Sequence, residues 1–474
     1  MPHTADPKTL EELCCKNISQ NMDNLWCKHY DEHFHGKSEC LYLLGPFSNL
    51  PGVLLSQLIK YLKNNGVRIG HLQLLLDYSL QDLDLSRLSK NMGTVLNTIT
   101  NRCVNLRHLD LSGNAKLPLQ GQLALFSTLR GLESINLSST NTSDRVMSVI
   151  GAYCTQLQEL DVQRSGVTDL GLNSLAASVP SHGTTTAGQS ITKLSVEGCN
   201  LSPESAFGVI KNMPNLVHFD HPDSLWGVTQ LMLQQPERAP LALTSLEGSS
   251  AAGLEVAAAA CPDCTLLRLD MDPESSLEAA EQLSKLTELV LMSPCEPCPG
   301  LAELLAARGA GLTNLALNGV TGVPLAAALR HCRSLQSLIL IMCRFRSEPA
   351  PGGPLSNLEH LWLAEESDGA PPVDLLRRAL ASPVLTTLTL QNCDTITDAL
   401  LEEALDAGGL AQLESLSLEH CGQVTVEPLL RLVLQCPRLE TLRMVMCPQL
   451  SRRDAAEVRR LAEGNGWRLQ VEWQ

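Results

Sequence analysis

The chain has 474 residues, 44% hydrophobic but only 3% aromatic, with 51 acidic against 35 basic side chains and a formal net charge of -16. That length exceeds one ordinary globular core, so several domains or an elongated array is expected, filled mainly by leucine and alanine. The charge argues against a nucleic-acid backbone or an anionic membrane surface as main partner and favours a basic one.

Met1 to Leu10 lacks the apolar run of a secretory signal, and no later stretch holds about 18 apolar residues free of charge and proline. A soluble protein of the cytoplasm, the nucleus or both is expected. The 17 cysteines, an odd number spread over a long chain, read as reduced thiols rather than a disulfide framework. The sequons at Asn17, Asn136, Asn141 and Asn200 then go unused.

Leu10, Leu13, Cys14, Ile18, Met22 and Leu25 fall at helical spacing, which predicts an amphipathic helix from Leu10 to about Leu25. Thr9 stands at its cap, with Glu12 in the capping-box position. A polar link follows from Cys27 to Cys40. With His29, His33 and His35 it has enough sulfur and imidazole for a tetrahedral zinc site, but the spacing matches no known zinc module, and a plain inter-helix link is expected. Leu50, Pro51, Leu54, Leu55, Leu58, Ile59 and Leu62 mark a second amphipathic helix, with Pro51 at its start and Asn64-Asn65-Gly66 ending it.

From Leu80 the pattern changes to L-x-x-L-x-L-x-x-N/C/T, as in Leu106-Leu109-Leu111-Asn114, Leu132-Ile135-Leu137-Thr140 and Ile191-Leu194-Val196-Cys199. It fades between Leu216 and Leu266 and then returns to Leu439. The units repeat at roughly 20 to 28 residues, inside the leucine-rich-repeat range. About fifteen units are expected on this spacing, each a short strand, a turn and a helix. The fold expected is therefore an α/β leucine-rich-repeat solenoid, strands on the concave face and helices on the convex face, over residues 76–474, with a helical segment over 1–75. Cys343, Cys393, Cys421 and Cys447 in the asparagine slot resemble the cysteine-containing intracellular class of such repeats. The polar insertion Ser181–Ser190 is expected as a projecting loop, and the Pro- and Gly-rich stretches 348–354 and 368–372 as irregular turns.

Thr9-Leu10-x-x-x-Cys14-x-x-x-Ile18 resembles the elongin-binding box of cullin-RING ubiquitin ligase receptors. One apolar helix stripe is offered to a partner groove, with the cysteine as a packing residue. Leu50-Pro51-x-x-Leu54-x-x-x-Leu58 resembles the cullin 2 box that follows it in such receptors. Their order ahead of leucine-rich repeats is similar to the Zyg/Zer family of cullin 2 receptors. The resemblance implies elongin B/C and cullin 2 with its RING subunit as partners. It stops where that family continues into armadillo-type repeats, so recognition of terminal glycine is not carried over.

Two alternatives stay open. The Leu50–Leu62 stretch also resembles the opening of an F-box, which would imply a SKP1-type adaptor, although the later valine-cysteine and tryptophan pattern is missing. The two helices could also merely cap the array of a non-ligase scaffold.

Strand residues between the leucines face the concave side. They include Asp161, Asp220 and Asp270, then Ile339, Ile341 and Trp362. An acidic stretch running into an apolar patch predicts a protein substrate with basic residues beside a bulky apolar one. Cys261-x-x-Cys264 and Cys295-x-x-Cys298 look like zinc knuckles but flank different strands, so convergence is not expected. No catalytic motif and no cofactor signature is present.

Overall fold

Thr9 works as the expected cap. Its Oγ1 accepts the Glu12 N–H at 3.1 Å, and Glu12 Oε2 accepts the Thr9 N–H at 3.1 Å, so two helix-end donors are satisfied reciprocally. Helix α1 (Leu10–Gln20) follows. The computed structural model describes residues 9–28, 46–64, 66–88, 91–176, 186–272, 275–293, 297–345, 355–365, 373–467 and 469–474.

α1 is shorter than its apolar spacing predicts. At Asn21 it widens into a π-helical turn, Met22–Cys27, in which the Trp26 N–H reaches back five residues to the Asn21 carbonyl at 3.4 Å. Such turns persist where tertiary contacts stabilise them. Here Met22 is fully buried, and Asp23 joins His71 and Arg68 at the start of a neighbouring helix.

Helix α2 (Gly52–Asn64) begins where the Pro51 carbonyl accepts the Leu54 and Leu55 N–H groups at 3.0 and 3.2 Å; Pro51 has no N–H to leave unpaired. A Cβ on Gly52 would sit 2.0 Å from the Ser79 carbonyl oxygen, so only glycine lets the first turn press onto the chain entering the first strand. Leu55, Leu58, Ile59 and Leu62 are all buried, and Ser56 Oγ donates to the Asp82 carbonyl at 2.5 Å. α2 thus closes the end of the array, as a terminal repeat requires. Helix α3 (Ile69–Leu75) completes this end.

Two parallel sheets follow, both in sequence order. The first holds β1 (Asp82–Asp84), β2 (His108–Asp110), β3 (Ser134–Asn136), β4 (Glu159–Asp161), β5 (Lys193–Ser195) and β6 (His218–Asp220). The second holds β7 (Ser245–Gly248), β8 (Leu266–Asp270), β9 (Glu288–Met292), β10 (Asn314–Asn318), β11 (Ser337–Ile341), β12 (His360–Ala364), β13 (Thr387–Gln391), β14 (Ser415–Glu419), β15 (Thr441–Val445) and β16 (Gln470–Trp473). Pro7–Arg238 and Ala239–Gln474 form two compact units, so the N-terminal helices belong with the first six strands. The boundary falls in the stretch where the repeat pattern fades.

Each unit is a leucine-rich-repeat α/β solenoid. The leucines of the pattern alternate inward, Leu83, Leu109 and Leu160 in the first sheet and Leu315, Leu317, Leu388 and Leu390 in the second, all buried. Helices such as Asp144–Tyr153 and Asp398–Asp406 cover them. The slot residue carries the reason for its identity. Asn114 Nδ2 donates to the Leu85 carbonyl at 2.9 Å, and the Cys199, Cys343, Cys421 and Cys447 thiols reach Val162, Leu317, Leu390 and Leu418 carbonyls at 3.1 to 3.5 Å. In these five repeats the slot satisfies a strand-end carbonyl of the repeat before, which would otherwise be buried without a donor, whereas Thr140 Oγ1 donates within its own repeat, to the Leu137 carbonyl at 2.6 Å. A second clasp recurs on the convex side. Asp144 accepts from the N–H and Oγ1 of Thr168, and Asp398 does the same for Thr425, at 2.7 to 2.8 Å.

The insertion expected as a loop departs from that reading. Ala187–Ser190 is a short helix, and Thr186, Ala187 and Gly188 are buried, because Gly188 lies so close to Leu175 that a Cβ would meet its carbonyl at 2.9 Å. Residues 177–185, and the stretches 348–354 and 368–372, lie outside the described residues.

Candidate functional site

α1 buries none of its residues. Leu10 is 78% exposed, Leu13 is 49% exposed, Cys14 is exposed, and Ile18 is half-buried. The stripe is bare because α2 already does the capping, with four apolar side chains in the core. Within the second pattern, Pro51 is exposed and Leu50 and Leu54 are half-buried. Leu58 is not available to a partner at all. It is 1% exposed, because it faces the first repeat together with Leu55, Ile59 and Leu62. Sequence reading missed Val53, 66% exposed at the start of α2. Periodicity alone cannot separate the inner face of a cap from the outer face of a docking helix.

Beside this surface sits a cluster that no local pattern announces. His71 is buried, and its Nε2 lies 2.8 Å from Asp23 Oδ1. Its Nδ1 accepts the Arg68 N–H at 3.2 Å, and Arg68 Nη1 lies 3.3 Å from Asp23 Oδ2. With Cys27, the side chains of Asp23 and His71 bring three potential ligand atoms within 4.8 Å of one another. Because Nδ1 is an acceptor, the ring proton belongs on Nε2 and is shared with Asp23. The lone pair that a metal needs is therefore not offered, and the group acts as a clasp between the π-turn and α3. His29, His33, His35 and Cys40 lie outside the described residues, as does Cys295. Cys261 and Cys264 are fully buried, and burial pushes both thiols up to about 12, away from the thiolate form that binds zinc.

Strand register aligns the residues between the inward leucines of the first sheet into two rows, of which Ser195 and Asp220 are buried. One runs Asp82, His108, Ser134, Glu159, Lys193 and His218; the other runs Asp84, Asp110, Asn136, Asp161, Ser195 and Asp220. The second row is less a ligand surface than the sequence implies. Oδ1 of Asp84, Asp110, Asn136 and Asp161 each accepts the N–H two residues on, at 2.8 to 3.0 Å, so these side chains also build the turn that ends each strand. Burial, reinforced by the neighbouring Asp110, raises the Asp161 pKa. Asp220 is buried and accepts from Gln163 Nε2 at 2.5 Å. A polar cavity of about 380 Å³ lies over β3 to β6, lined by Glu159, Asp161, Gln163, Lys193, His218 and Asp220 among others.

In the second sheet the middle row reads Glu247, Arg268, Val290, Ala316, Ile339, Trp362, Thr389, Ser417, Arg443 and Glu472. Beside it Asp270, Met292, Asn318, Ile341 and Ala364 are aligned. The structure thus brings Ile339, Ile341 and Trp362 together on adjacent strands. Trp362 is 41% exposed, Ile339 and Ile341 are half-buried, and Asp270 is exposed. Met292 and Met342 extend the patch and are 38% and 52% exposed.

Among the described residues no helix is long and apolar enough to cross a membrane. No protein-family model matches the sequence, and neither does any curated protein. Among solved structures the chain is similar to the Rad7 and Elc1 complex in yeast, at 18% identity over 97% of this chain and 91% of that one, with a TM-score of 0.41. It is also similar to an internalin (inlF) from Listeria monocytogenes, at 14% identity over 86% of this chain and 88% of that one, TM-score 0.39. A third is the TLR13–ssRNA13 complex, at 17% identity over 73% of this chain and 54% of that one, TM-score 0.42. These likenesses concern architecture.

Proposed function

We propose that the chain is the substrate-recognition receptor of an elongin-containing cullin-RING ubiquitin ligase. α1 takes the adaptor through Thr9, Leu10, Cys14 and Ile18, and the concave strand face takes a protein substrate. The observation that carries this is the bare stripe. Helices that serve only as caps bury their apolar faces, as α2 does, whereas α1 keeps Leu10, Leu13 and Cys14 outside. Seating two such leucines in a partner groove contributes about 1.5–3 kcal/mol each, enough to justify a helix whose Leu10 and Leu13 stay exposed.

The cullin contact on this reading falls to Leu50, Pro51, Val53 and Leu54, with Leu58 supporting them from the core. The receptor performs no chemistry itself; it supplies proximity and orientation while cullin-bound partners transfer ubiquitin. The reading places it in the cytoplasm or nucleus, where cysteines such as those described here, none of them in a disulfide, stay reduced.

Co-purification with elongins B and C, wild type against Leu10→Ser plus Cys14→Ser, tests the proposal. Both side chains are exposed, so the fold survives the change, and the variant is expected to lose the adaptor. Equal retention, or no elongin with either protein, refutes the receptor reading. Capture of a SKP1-type adaptor instead favours the F-box alternative.

A further inference from the structure

The second sheet carries more than an apolar patch. Its apolar row spans Val290 on β9, Ala316 on β10, Ile339 on β11 and Trp362 on β12, held side by side by strand register. The two ends of that row differ. Toward β7 lie Glu247, Asp270, Asp272 and Glu288, against one guanidinium, Arg268, which is itself 3.5 Å from Glu247. Toward β16 the negative charge is smaller, because Arg443 pairs with Glu419 at 2.6 Å and Glu472 at 3.7 Å and offsets one of the two carboxylates.

At the acidic end a cavity of about 400 Å³ opens at the strand ends. Asp270, Asp272, Met292, Asn318, Ser249 and Ser293 line it. Carboxylates and hydroxyls beside a methionine suit a side chain with an aliphatic stem and a cationic head. The small Ala316 leaves a low point in the row between Val290 and Ile339, so the chain of a ligand can cross the strands there.

Resting on the receptor reading, we infer that this face takes an extended, unfolded segment of the substrate, a degron with a bulky apolar residue and a basic residue at fixed separation. The apolar side chain sits against Ile339, Ile341 and Trp362, and the basic one enters the cavity at Asp270 and Asp272. The charge asymmetry fixes the segment's polarity across the sheet. The separation follows from strand spacing. From β8 to β11 or β12 is three or four intervals of about 4.8 Å, or about 14–19 Å. An extended chain rising about 3.3 Å per residue covers that in about four to six residues. A helix would need about ten to thirteen.

The probe is a set of fluorescent peptides in which phenylalanine is joined to two arginines through one, three, five or eleven glycine/serine residues. Anisotropy measured with the full chain at low salt is expected to show the spacers of three and five binding at least ten-fold tighter than one or eleven. Trp362→Ala should weaken them at least ten-fold. Asp270→Asn plus Asp272→Asn should weaken the diarginine peptides ten-fold while leaving a diglutamine version unchanged. These residues are on the strand surface or at strand ends, and retained melting temperature confirms the fold of each variant.

Affinity independent of spacer length, or best at eleven, overturns the inference, as does a double Asn variant that binds diarginine peptides as tightly as wild type. Peptide binding lost while elongin capture persists removes the groove and leaves the receptor reading. Elongin capture absent while spacing-dependent binding persists removes the receptor reading and supports the groove.

Discussion

Lowering the pH from 7 to 5 should cost the unit Pro7–Arg238 about 2 kcal/mol through one side chain, His221. The ring is completely buried. Its Nδ1 accepts the Asp223 N–H at 3.0 Å, and its Nε2 lies 3.1 Å from Ser205 Oγ, whose own hydroxyl donates to the Ser202 carbonyl at 2.6 Å. Every position is taken by the neutral imidazole, and a second proton on Nδ1 would point at another N–H. Burial therefore holds the His221 pKa down at about 4, against the opposing pull of Asp223 and Asp169. An unfolded histidine titrates near 6.5, so as pH falls the unfolded chain takes up the proton first. The stability is complete above about 6.5, declines at about 1.4 kcal/mol per pH unit, and levels off below about 4. Between 6.5 and 5 that is about 2 kcal/mol. Hydrogen exchange of the helices Pro203–Asn212 and Ser224–Gln234, measured at both pH values in wild type and His221→Gln, isolates this contribution from other acids. The stability gap between the two proteins should shrink by about 2 kcal/mol at pH 5. An unchanged gap, or a His221 resonance titrating near 6.5, would refute the reasoning.

Three further outcomes are expected. Leu55→Ala, at a fully buried position in α2, should destabilise the first unit by about 2–5 kcal/mol in urea unfolding; a loss under 1 kcal/mol would mean that α2 is no cap. Gly52→Ala should cost about 1–3 kcal/mol in the same assay, because its Cβ has no room against Ser79, and a neutral result would contradict that close approach. His71→Ala should release the π-turn, seen as faster proteolysis within Met22–Cys27, with a loss of about 1.5–3 kcal/mol for the hydrogen bond to Asp23. Unchanged cleavage would show that the clasp does not hold the turn.

The repeat architecture was legible because it is written locally. The leucine spacing marks which strand residues turn inward, and the capping pair Thr9 and Glu12 sits three residues apart. What escaped was set by distance in sequence or by function shared between faces. His71 and Asp23 are 48 residues apart, so nothing near either residue foretells their contact. Leu58 and Leu54 look equivalent in a helical stripe, yet one meets the core and the other reaches the surface. Alternation along the strand marks Asp161 as a ligand-facing acid. Asp110-Leu111-Ser112 and Asp161-Val162-Gln163 could also have been read as side chains capping their own turns. On the second sheet the alternation between leucines marks Ile339 and Trp362 as facing the same side, and strand pairing sets the two opposite each other.

The slot ladder also gives each array a reading direction. Asn114, Cys199, Cys343, Cys421 and Cys447 all reach backward, to the repeat that precedes them. The slots after β1 and β7 are apolar, Leu88 and Ala251, as is Val320 after β10, and these side chains have no donor to offer. The repeats are therefore not interchangeable bricks. A fragment cut to begin at β2 would start with an amide left only its own repeat's acceptors, chiefly the Leu111 carbonyl at 2.8 Å, whereas one that stops early loses only a donor to a carbonyl that water can replace. Shortening or splicing these arrays should proceed from the trailing end.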